Sequence, residues 1–516
     1  MKRISLLTFL SFLIFSACST QQVVQNQTSS STDDGIFELT LVQINDVYEI
    51  TALNNGKEGG LARVATIKDR EKAKNPNTFM LMAGDFLSPS VFNSLKHNDQ
   101  RIRGAQMIDA LNAAGLDFAG LGNHEFDIKE SEFQDRLNES NFTWISSNTF
   151  HYKDHTFSPF HKVLSDGNKE YIPEEVILDL KDEDGTEVKI GIFSILLPFN
   201  KADYVAYKDV FKTAQEKYDM LSQTCDAVIA LTHLNMDDDI KLAEQIPGLA
   251  LIIGGHEHDS RFKVVGEVPI TKAHANARTV YINKLKIDKN NNTRQATLDL
   301  VKMDESIPLQ AKTKAVVDKW MKIAADSYAT IGFDAMKIVL EEAEPFDVLE
   351  ASIRHHPTNF SKAVVKAMEK AAPKAQAVVI NSGSMRLDDM MYPPVSEYDI
   401  LRAMPYGGKI VEADVTGNLL TQVLDAGMSN ITEGGFLQFS EHITKDGNQW
   451  KMNGKKIEDN QVYRVGFADF LMLGLEANLG FLNKNNPKVK KVYPDESDAL
   501  HPKNDLRRAL IQYLRK

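Results

Sequence analysis

The sequence FAGLGNHEFD, residues 118–127, carries an asparagine, a histidine and an aspartate in a glycine-initiated turn directly after a short apolar run. Four further apolar runs also end at residues that can bind a metal ion: 37–44, 79–83, 227–231 and 249–253. The residues that follow them are, in the same order, Asn45-Asp46-Val47-Tyr48, Gly84-Asp85, Thr232-His233 and Gly254-Gly255-His256-Glu257-His258. The five runs are rich in β-branched residues and alternate with helical patterns, which is typical of an α/β layered domain. Because such sheets bind ligands outside the carboxyl ends of their strands, the sequence predicts one cavity that gathers these side chains.

The gathered side chains are carboxylates, one amide and three imidazoles, a set that suits borderline divalent metals such as Zn, Mn, Fe or Co better than Ca or Mg. Two such ions support displacement at phosphorus, because they generate a nucleophile and neutralise charge on the attacking and leaving oxygens. The sequence has no GxSxG elbow, Walker A loop, HExxH helix or CxxC pair that would favour another chemistry.

Each segment alone also has a purely structural explanation. Gly84-Asp85 is typical of a turn or a helix cap, and histidine pairs also occur in surface loops. The prediction therefore depends on the joint occurrence of the five segments. The other nine of the 13 histidines, including His97, His274, His355 and His356, lack such a placement and are expected at the surface or in packing.

The composition is that of a soluble globular protein with room for several domains. The 516 residues include 59 Lys+Arg and 71 Asp+Glu, a formal net charge of −12, and 43% are hydrophobic. An acidic chain does not attract phosphate backbones, so we expect a small-molecule partner and no nucleic-acid polymer.

The N-terminal residues MKRISLLTFLSFLIFSAC predict a secretion signal at 1–17, because two basic residues precede a short apolar run. FSAC resembles a bacterial lipobox, in which Cys18 would carry the lipid. The alternative is a plain signal peptide cleaved near Ala17. Residues 18–35 have the composition of a disordered tether. The sequence thus predicts an extracytoplasmic protein on the periplasmic or cell-surface side, held at a bacterial membrane only through the lipid on Cys18.

The pattern of apolar segments and turn residues along the chain predicts two α/β domains, 36–303 and 336–516, joined by a helical linker at 304–335. Apolar spacing predicts a helix over 101–114 that stops at Gly115. The linker contains the helical segment 309–329. In the second domain, 351–372 has a helical pattern and 377–383 has a strand pattern.

In their order and spacing, the motifs resemble the calcineurin-like metallophosphoesterase superfamily, and specifically the two-domain bacterial 5′-nucleotidase and UDP-sugar hydrolase family. The resemblance covers nearly the whole mature chain. It implies an N-terminal four-layer αββα metallophosphoesterase domain, and a C-terminal α/β substrate-binding domain joined to it by a helix. It also implies an enzyme that uses two divalent metal ions to hydrolyse phosphoric esters.

The resemblance assigns roles to the motif residues. Asp85 bridges the two ions, and the other ligands it implies are Asp46 and His258 for one ion and Asn123, His233 and His256 for the second. His124 stabilises the transferring phosphoryl group and is oriented by Asp127, while a metal-activated water is the nucleophile.

The second domain resembles the family's nucleotide pocket in part. Asn381 and Arg386, in NSGSMR, match positions that contact the nucleotide and its phosphates, and an arginine suits a bidentate grip. Tyr406 in MPYGG and Phe470 in ADFLMLG match two aromatic residues that sandwich the base. The alternative for this aromatic pair is the core of the domain.

Three positions depart from the family pattern. The first motif has Tyr48 where the family has histidine, so either a phenolate binds one metal or Tyr48 lines the cavity and that ion is weakly held. Arg354 is displaced from the usual arginine next to HHPTNFSK at 355–362. Glu476 in GLEAN replaces the aspartate that binds ribose hydroxyls.

These features predict an extracytoplasmic phosphohydrolase that releases phosphate from nucleoside 5′-monophosphates. Within the same chemistry, the alternative substrates are nucleotide sugars, 2′,3′-cyclic nucleotides or non-nucleotide esters. A second alternative is a catalytically weakened ligand-binding lipoprotein, suggested by Tyr48 and the altered motifs of the second domain.

Overall fold

The structure of the chain, a computed structural model, describes residues 33–199 and 202–515. The predicted signal peptide at 1–17, Cys18 and most of the predicted tether at 18–35 lie outside the described residues. Within the described ranges, every helix is too short or too polar to cross a membrane. Cys225 is buried.

Two six-stranded sheets form the centre of the N-terminal domain. In hydrogen-bonded order, the first sheet contains Thr293–Lys302, Thr279–Asp288, Ile36–Ile44, Thr78–Ala83, Phe118–Gly120 and Thr143–Ile145. The second contains Glu175–Lys181, Glu187–Leu196, Ala227–His233, Leu251–Gly254, Val268–Lys272 and Arg261–Val265. The inner strands of both sheets pair in parallel, so their carboxyl ends lie at one edge.

The two sheets pack face to face because alternate residues of each strand are apolar. Leu39 and Leu41 belong to a buried cluster with Ile229 and Ile253 of the second sheet, whereas Val42 points to the opposite face, under the helices. The covering helices are Leu61–Lys74, Ala105–Ala114 and Glu130–Glu139 on the first sheet and Val210–Leu221 and Met236–Gln245 on the second. The four-layer αββα fold is therefore confirmed.

A helix at Ala311–Thr330 follows the last strand of the N-terminal domain. Its buried stripe, which includes Val317, Trp320 and Tyr328, packs on the helices Ala105–Ala114 and Leu61–Lys74. The indole of Trp320 donates a hydrogen bond of 2.9 Å to Asp109. These contacts fix the start of the C-terminal domain relative to the N-terminal domain.

The C-terminal domain has a mixed five-stranded sheet with helices on both faces. Its strands, in hydrogen-bonded order, are Leu437–Phe439, Ala377–Asn381, Val462–Ala468, Ile410–Thr416 and Val489–Val492. Its helices are Glu350–Ile353, Asn359–Ala371, Glu397–Ala403, Gly417–Ser429 and Leu506–Leu514. Val379 and Phe467 pack with Leu420 of Gly417–Ser429 on one face. The fold class predicted for this domain, α/β, is confirmed.

The remaining strands form small ladders around these sheets. They are Lys96–His97, Gln100–Arg101, Thr149–Lys153, Thr156–Ser158, His161–Val163, Lys169–Tyr171, Val205–Tyr207, Ile338–Leu340, Phe346–Asp347, Met390–Met391, Val395–Ser396, Ile443–Asp446, Gln449–Met452 and Lys455–Lys456.

Two predicted helices have different bounds in the structure. The helix expected at 101–114 begins at Ala105, because Arg101 belongs to a short strand and Gly104 has a φ of 89°. Its predicted stop at Gly115, with a φ of 77°, is confirmed. The helical pattern at 351–372 is interrupted around Pro357, because a proline disfavours helical geometry at the residue before it. A second helix begins after its N-cap residue, Thr358.

Candidate active site

The five strand ends singled out in the sequence meet at one edge of the N-terminal domain. Asp46, Asp85, Asn123 and His233 are each at most 1% exposed. His256 follows the next strand end and lies in ring contact with His233, with the ring centroids 5.3 Å apart. The structure thus brings the predicted metal ligands together.

Close backbone approach at this edge explains the glycines in the motifs. A Cβ atom on Gly84 would lie 2.6 Å from the backbone nitrogen of Gly122 and 2.7 Å from Nδ1 of His233. A Cβ atom on Gly122 would lie 2.2 Å from Oδ1 of Asp85. Any larger residue at either position would therefore push the ligand-bearing loops apart.

One group of ligand atoms is assembled around Asp85. Nε2 of His233 lies 3.1 Å from Oδ2 of Asp85, and ligand atoms of Asp85, His233 and His256 all lie within 4.8 Å of one another. Nδ1 of His233 donates its proton to the backbone oxygen of Ala83 at 2.7 Å, which leaves Nε2 as the ligand atom.

Two buried acceptors of the site, Oδ1 of Asp46 and Oδ1 of Asn123, lack a hydrogen-bond partner among residues 33–199 and 202–515. Buried polar atoms are almost always hydrogen-bonded, so two orphaned acceptors in one place indicate a partner that is a cation. The donor set of carboxylate, amide and imidazole fits divalent metal ions of the Zn and Mn type.

A second group of ligand atoms lies on the other side of Asp85. Oη of Tyr48 lies 3.0 Å from Nε2 of His258 and donates a hydrogen bond of 3.3 Å to Oδ2 of Asp85. Nε2 of His258 is 3.9 Å from the orphaned Oδ1 of Asp46. Tyr48 therefore lies among the ligands of this group, where the family pattern has a histidine.

The charges of this buried cluster are strongly perturbed. Burial lowers the pKa of His256 to about 3, with a further contribution from the charge of His233. Burial also opposes charge on His233, but the carboxylate of Asp85 outweighs it and raises the pKa to about 10. The pKa of Asp46 is raised because burial disfavours its charge. A cation at this point would replace the protons that the carboxylates and imidazoles otherwise share.

His124 lies at the rim of the ligand cluster. Its backbone nitrogen donates to Oδ1 of Asp85 at 2.7 Å, and its Nδ1 lies 2.7 Å from Oδ2 of Asp127. Although burial opposes it, the charge of Asp85 and the hydrogen bond with Asp127 raise the pKa of His124. Because Nδ1 is engaged, Nε2 is the ring atom available to a ligand.

Glu125, which the sequence motifs did not single out, holds the two strand-end loops together. It is completely buried. Its carboxylate accepts hydrogen bonds from the backbone nitrogens of Asp85 at 2.9 Å, Phe86 at 2.7 Å, Leu87 at 3.1 Å and Gly122 at 2.5 Å. Burial and the charge of Asp85 raise the pKa of Glu125 to about 7. The sequence feature that could have indicated this role is the position of an acidic residue inside the GNHEFD turn.

Lys272 supports the histidine loop from behind and was also missed. It is fully buried and pairs with Asp239 at 2.8 Å and with Glu257. It also donates to the backbone oxygens of Leu234 and Gly255 at 2.6 and 2.9 Å. Nothing in the strand pattern distinguishes this lysine from a surface residue.

A cleft of about 720 Å³ opens beside His124. It is lined by residues from both domains, including Arg103, His124, Asp127, Asn381, Arg386, Tyr406, Phe470 and Glu476. Tyr406 is 66% exposed and Phe470 is 39% exposed, so neither is core and the structural alternative for this pair is wrong. The amide of Asn381 donates a hydrogen bond of 2.8 Å to Glu476.

The two predicted arginines meet at Glu350. Nη2 of Arg354 lies 2.5 Å from Oε2 of Glu350, and Nη1 of Arg386 lies 3.3 Å from Oε1. Arg386 lines the cleft together with His124. Glu350 was not predicted, because its role depends on contacts with residues distant in sequence.

Ionic contacts cross from one domain to the other around the ligand cluster. Glu49 pairs with Arg402 at 3.1 Å and accepts a hydrogen bond of 3.0 Å from Tyr398. A second cleft of about 960 Å³ lies on the His258 side. His274, expected at the surface or in packing, lines this cleft.

Two family models match the chain. The model for calcineurin-like phosphoesterases matches residues 39–260, and the model for the 5′-nucleotidase C-terminal domain matches residues 339–479. Together they fall on the two domains that carry the ligand cluster and the aromatic cleft.

Individual relatives are distant but cover most of the chain. Human 5′-nucleotidase is 23% identical over 462 residues, which are 80% of this chain and 76% of the relative. The trifunctional nucleotide phosphoesterase YfkN of Bacillus subtilis is 23% identical over 440 residues, and the match spans only 28% of that longer protein. The crystal structure of a 5′-nucleotidase precursor from Thermus thermophilus shares the fold, with a TM-score of 0.65 and 20% identity over 93% of this chain and 96% of that one.

Proposed function

The chain belongs to the two-domain family that joins a calcineurin-like phosphoesterase domain to a 5′-nucleotidase C-terminal domain, and on this premise we propose that it releases phosphate from nucleoside 5′-monophosphates outside the cytoplasm. It is a metal-dependent phosphoester hydrolase, as the sequence predicts. The nucleotide substrate, the roles of the individual ligands and the location outside the cytoplasm are our proposal.

One observation carries the choice of substrate. His124 and Arg386, from different domains, line both the small cavity at the ligand cluster and the 720 Å³ cleft that contains Tyr406 and Phe470. A phosphate near the cluster can therefore continue into a nucleoside that lies between the aromatic side chains.

The assembled side chains supply two adjoining cation sites. We assign Asn123, His233 and His256 to one ion, Asp46 and His258 to the other, and Asp85 to both. Divalent cations in such sites activate water and stabilise charge on phosphoryl oxygens. Zn, Mn, Fe and Co all suit these donors. Tyr48 either binds the ion at His258 through its phenolate or lines that site, and the Tyr48→His variant distinguishes the two by its cation affinity.

His124 and Arg386 are the groups that hold the phosphoryl moiety. Asp127 fixes the imidazole of His124 through Nδ1, so that a proton on Nε2 is directed to the developing charge on phosphorus-bound oxygens. The guanidinium of Arg386 can contact two phosphate oxygens at once. Arg354, held beside it by Glu350, adds positive charge to the same region.

The nucleoside end is recognised by stacking and by a polar pair. Tyr406 and Phe470 offer exposed aromatic faces, and stacking tolerates different bases. Glu476, already hydrogen-bonded to Asn381, offers a carboxylate to the ribose hydroxyls.

A second substrate class, the nucleotide sugars, is favoured by the 960 Å³ cleft. It is lined by His258 but by neither Tyr406 nor Phe470, so it offers space for a substituent outside the aromatic cleft. We further propose the division into domains at 36–303 and 336–516 with the linker at 304–335, and lipid attachment at Cys18.

The test is phosphate release from nucleoside monophosphates, nucleotide sugars, cyclic nucleotides and an aryl phosphate after reconstitution with single metals. Fast turnover of monophosphates is expected, and Asn123→Ala should reduce it at least about 100-fold, because it removes a cation ligand. Asn485→Ala, at an exposed position, is the matched control and should change nothing. Turnover of the aryl phosphate alone would contradict the proposed nucleotide pocket, and silence with every metal would favour the ligand-binding lipoprotein.

A further inference from the structure

A carboxylate of the C-terminal domain contacts one of the assigned cation ligands of the N-terminal domain. Oδ2 of Asp388 is hydrogen-bonded to Nδ1 of His258. The opposite ring atom, Nε2, faces Oη of Tyr48 at 3.0 Å and Oδ1 of Asp46 at 3.9 Å. The imidazole therefore has its ligand atom in the cluster and its other nitrogen on a residue 130 positions away, in the other domain.

Asp388 is held in place by its own domain. Its Oδ1 accepts a hydrogen bond of 2.7 Å from the backbone nitrogen of Glu350. Its φ of 48° lies in the left-handed region, which few residue types adopt without support from their surroundings. Because one carboxylate oxygen is fixed in this way, the other is presented to His258 in a defined position.

The neighbours of Asp388 in sequence make contacts of the same kind. Arg386 pairs with Glu350 within the C-terminal domain, and Asp389 pairs with Arg278 of the N-terminal domain. The segment 386–389 thus combines a residue assigned to the phosphate with two carboxylates that reach the other domain. None of these contacts follows from the family pattern in the sequence.

We propose that Asp388 is a positioning residue for His258, and that it couples cation binding at the His258 site to the apposition of the two domains. A carboxylate on Nδ1 fixes the tautomer and the orientation of a ligating imidazole, and removal of such a partner typically costs about 10–100-fold in metal affinity. Because Asp388 belongs to the other domain, this gain exists only while the domains are together.

The coupling acts in both directions. If apposition raises the affinity of the His258 site by a given factor, a bound cation favours apposition by the same factor. A phosphate gripped by Arg386, two residues before Asp388, holds the same segment in place. Substrate and the cation at His258 therefore strengthen each other's binding, whereas the ion held by Asn123, His233 and His256 lacks this dependence.

The test measures cation affinity, not turnover, with the full chain. The proposed role of Asp388 rests on the proposed function only through the assignment of His258 as a ligand. The metal-free protein is titrated with Zn²⁺ against a chromophoric chelator, and we expect two bound ions. Asp388→Ala should weaken one of them by about 10–100-fold and leave the other within about threefold. The unaffected ion and a wild-type circular-dichroism spectrum show that the variant folds.

Two further variants separate positioning from a general effect of charge. Asp388→Asn retains an oxygen that accepts a hydrogen bond from Nδ1, so it should recover part of the lost affinity. Asp446→Ala removes a carboxylate that pairs with Lys451 within the C-terminal domain, away from the domain contacts, and it should change neither affinity more than about threefold. An equal loss in Asp446→Ala and Asp388→Ala would overturn the proposal.

The distance between fluorophores on the two domains supplies the reciprocal readout. Zn²⁺ should shorten it in the wild-type chain and shorten it less in Asp388→Ala. If Asp388→Ala binds both ions with wild-type affinity and closes normally, the coupling is refuted while the hydrolytic proposal stands. If the wild-type chain binds no ion, the ligand assignment fails and both proposals fail with it.

Discussion

Glu125→Gln should loosen the loop that carries Asp85, although neither residue 125 nor its replacement touches the cleft. Oε1 of Glu125 accepts from the backbone nitrogens of Phe86 and Leu87, and Oε2 accepts from those of Asp85 and Gly122. A glutamine keeps one oxygen and turns an amide group toward the other two donors. Two buried N–H groups are then left unpaired.

The expected cost follows from these two donors. An unpaired buried donor costs about 1–3 kcal/mol, so the variant should lose about 2–6 kcal/mol of free energy of unfolding. At about 2 °C or more per kcal/mol for a domain of this size, the melting temperature should fall by at least about 4 °C. The Zn²⁺ affinity of both sites should fall as well, because Asp85 is assigned to both ions.

The assay combines thermal unfolding with amide hydrogen exchange. The amides of residues 85–87 and 122 should exchange faster in Glu125→Gln than in the wild type, while those of the C-terminal sheet should keep their protection. Glu216→Gln, at an exposed position, is the matched control and should stay within about 0.5 kcal/mol. A melting temperature within about 1 °C of that of the wild type, with the four amides still protected, would refute the role of Glu125.

Four other perturbations have defined outcomes. His124→Ala should lower kcat by about 10²–10³-fold with little change in cation affinity, and Asp127→Asn should lower it less, since it disturbs only the orientation of the ring; steady-state kinetics with a zinc-affinity measurement checks this. Phe470→Ala should raise KM for nucleoside monophosphates by the loss of about 1–3 kcal/mol of stacking and leave hydrolysis of an aryl phosphate unchanged, which a comparison of the two substrates tests. Glu49→Ala should destabilise the domain interface by about 1.5–3 kcal/mol, because it removes one of the two carboxylates that pair with the buried Arg402 and leaves Asp399, whereas replacing Glu49 and Arg402 by apolar residues should cost less, as seen in denaturant unfolding. Removal of the cations with a chelator should lower stability by about 2.7 kcal/mol for each of the two ions, or about 5.4 kcal/mol in all, relative to protein at a free cation concentration of 100 Kd, and readdition should restore it in a thermal scan.

The sequence could predict which candidate metal-binding side chains gather at one place because they follow a local rule. Asp46, Asp85 and His233 each come directly after an apolar run, and parallel strands bring their carboxyl ends to one edge without further information. The alternation of the runs with helices predicts an α/β layered domain, whereas the four layers were implied by the resemblance to the family. Helix predictions were less reliable where a proline lies inside an apolar pattern, as at Pro357, which divides a segment with a continuous helical pattern into two helices.

The supporting residues could not be predicted, because their partners are remote in sequence. Lys272 looks like the polar end of a strand, and only the fold buries it against Asp239 and Glu257. Glu350 and Asp388 lie in loops of the second domain without any periodic pattern, and their partners are set by how the two domains meet. A sequence motif records which residues end a strand but not which backbone nitrogens or rings they reach.

The arrangement of charge explains why the site needs both domains. A chain with a net charge of −12 repels anionic substrates at long range, so capture depends on positive charge at the site itself. The N-terminal domain surrounds the candidate cation sites with carboxylates such as Asp46 and Asp85, so its positive charge there would come from bound cations and from Arg103 and Arg278, which line the adjoining cavities. The C-terminal domain supplies it through Arg386, whose guanidinium lines the cavity at the ligand cluster. The contact between His258 and Asp388 lies at the cavity where Arg386 of the C-terminal domain meets the ligand cluster of the N-terminal domain.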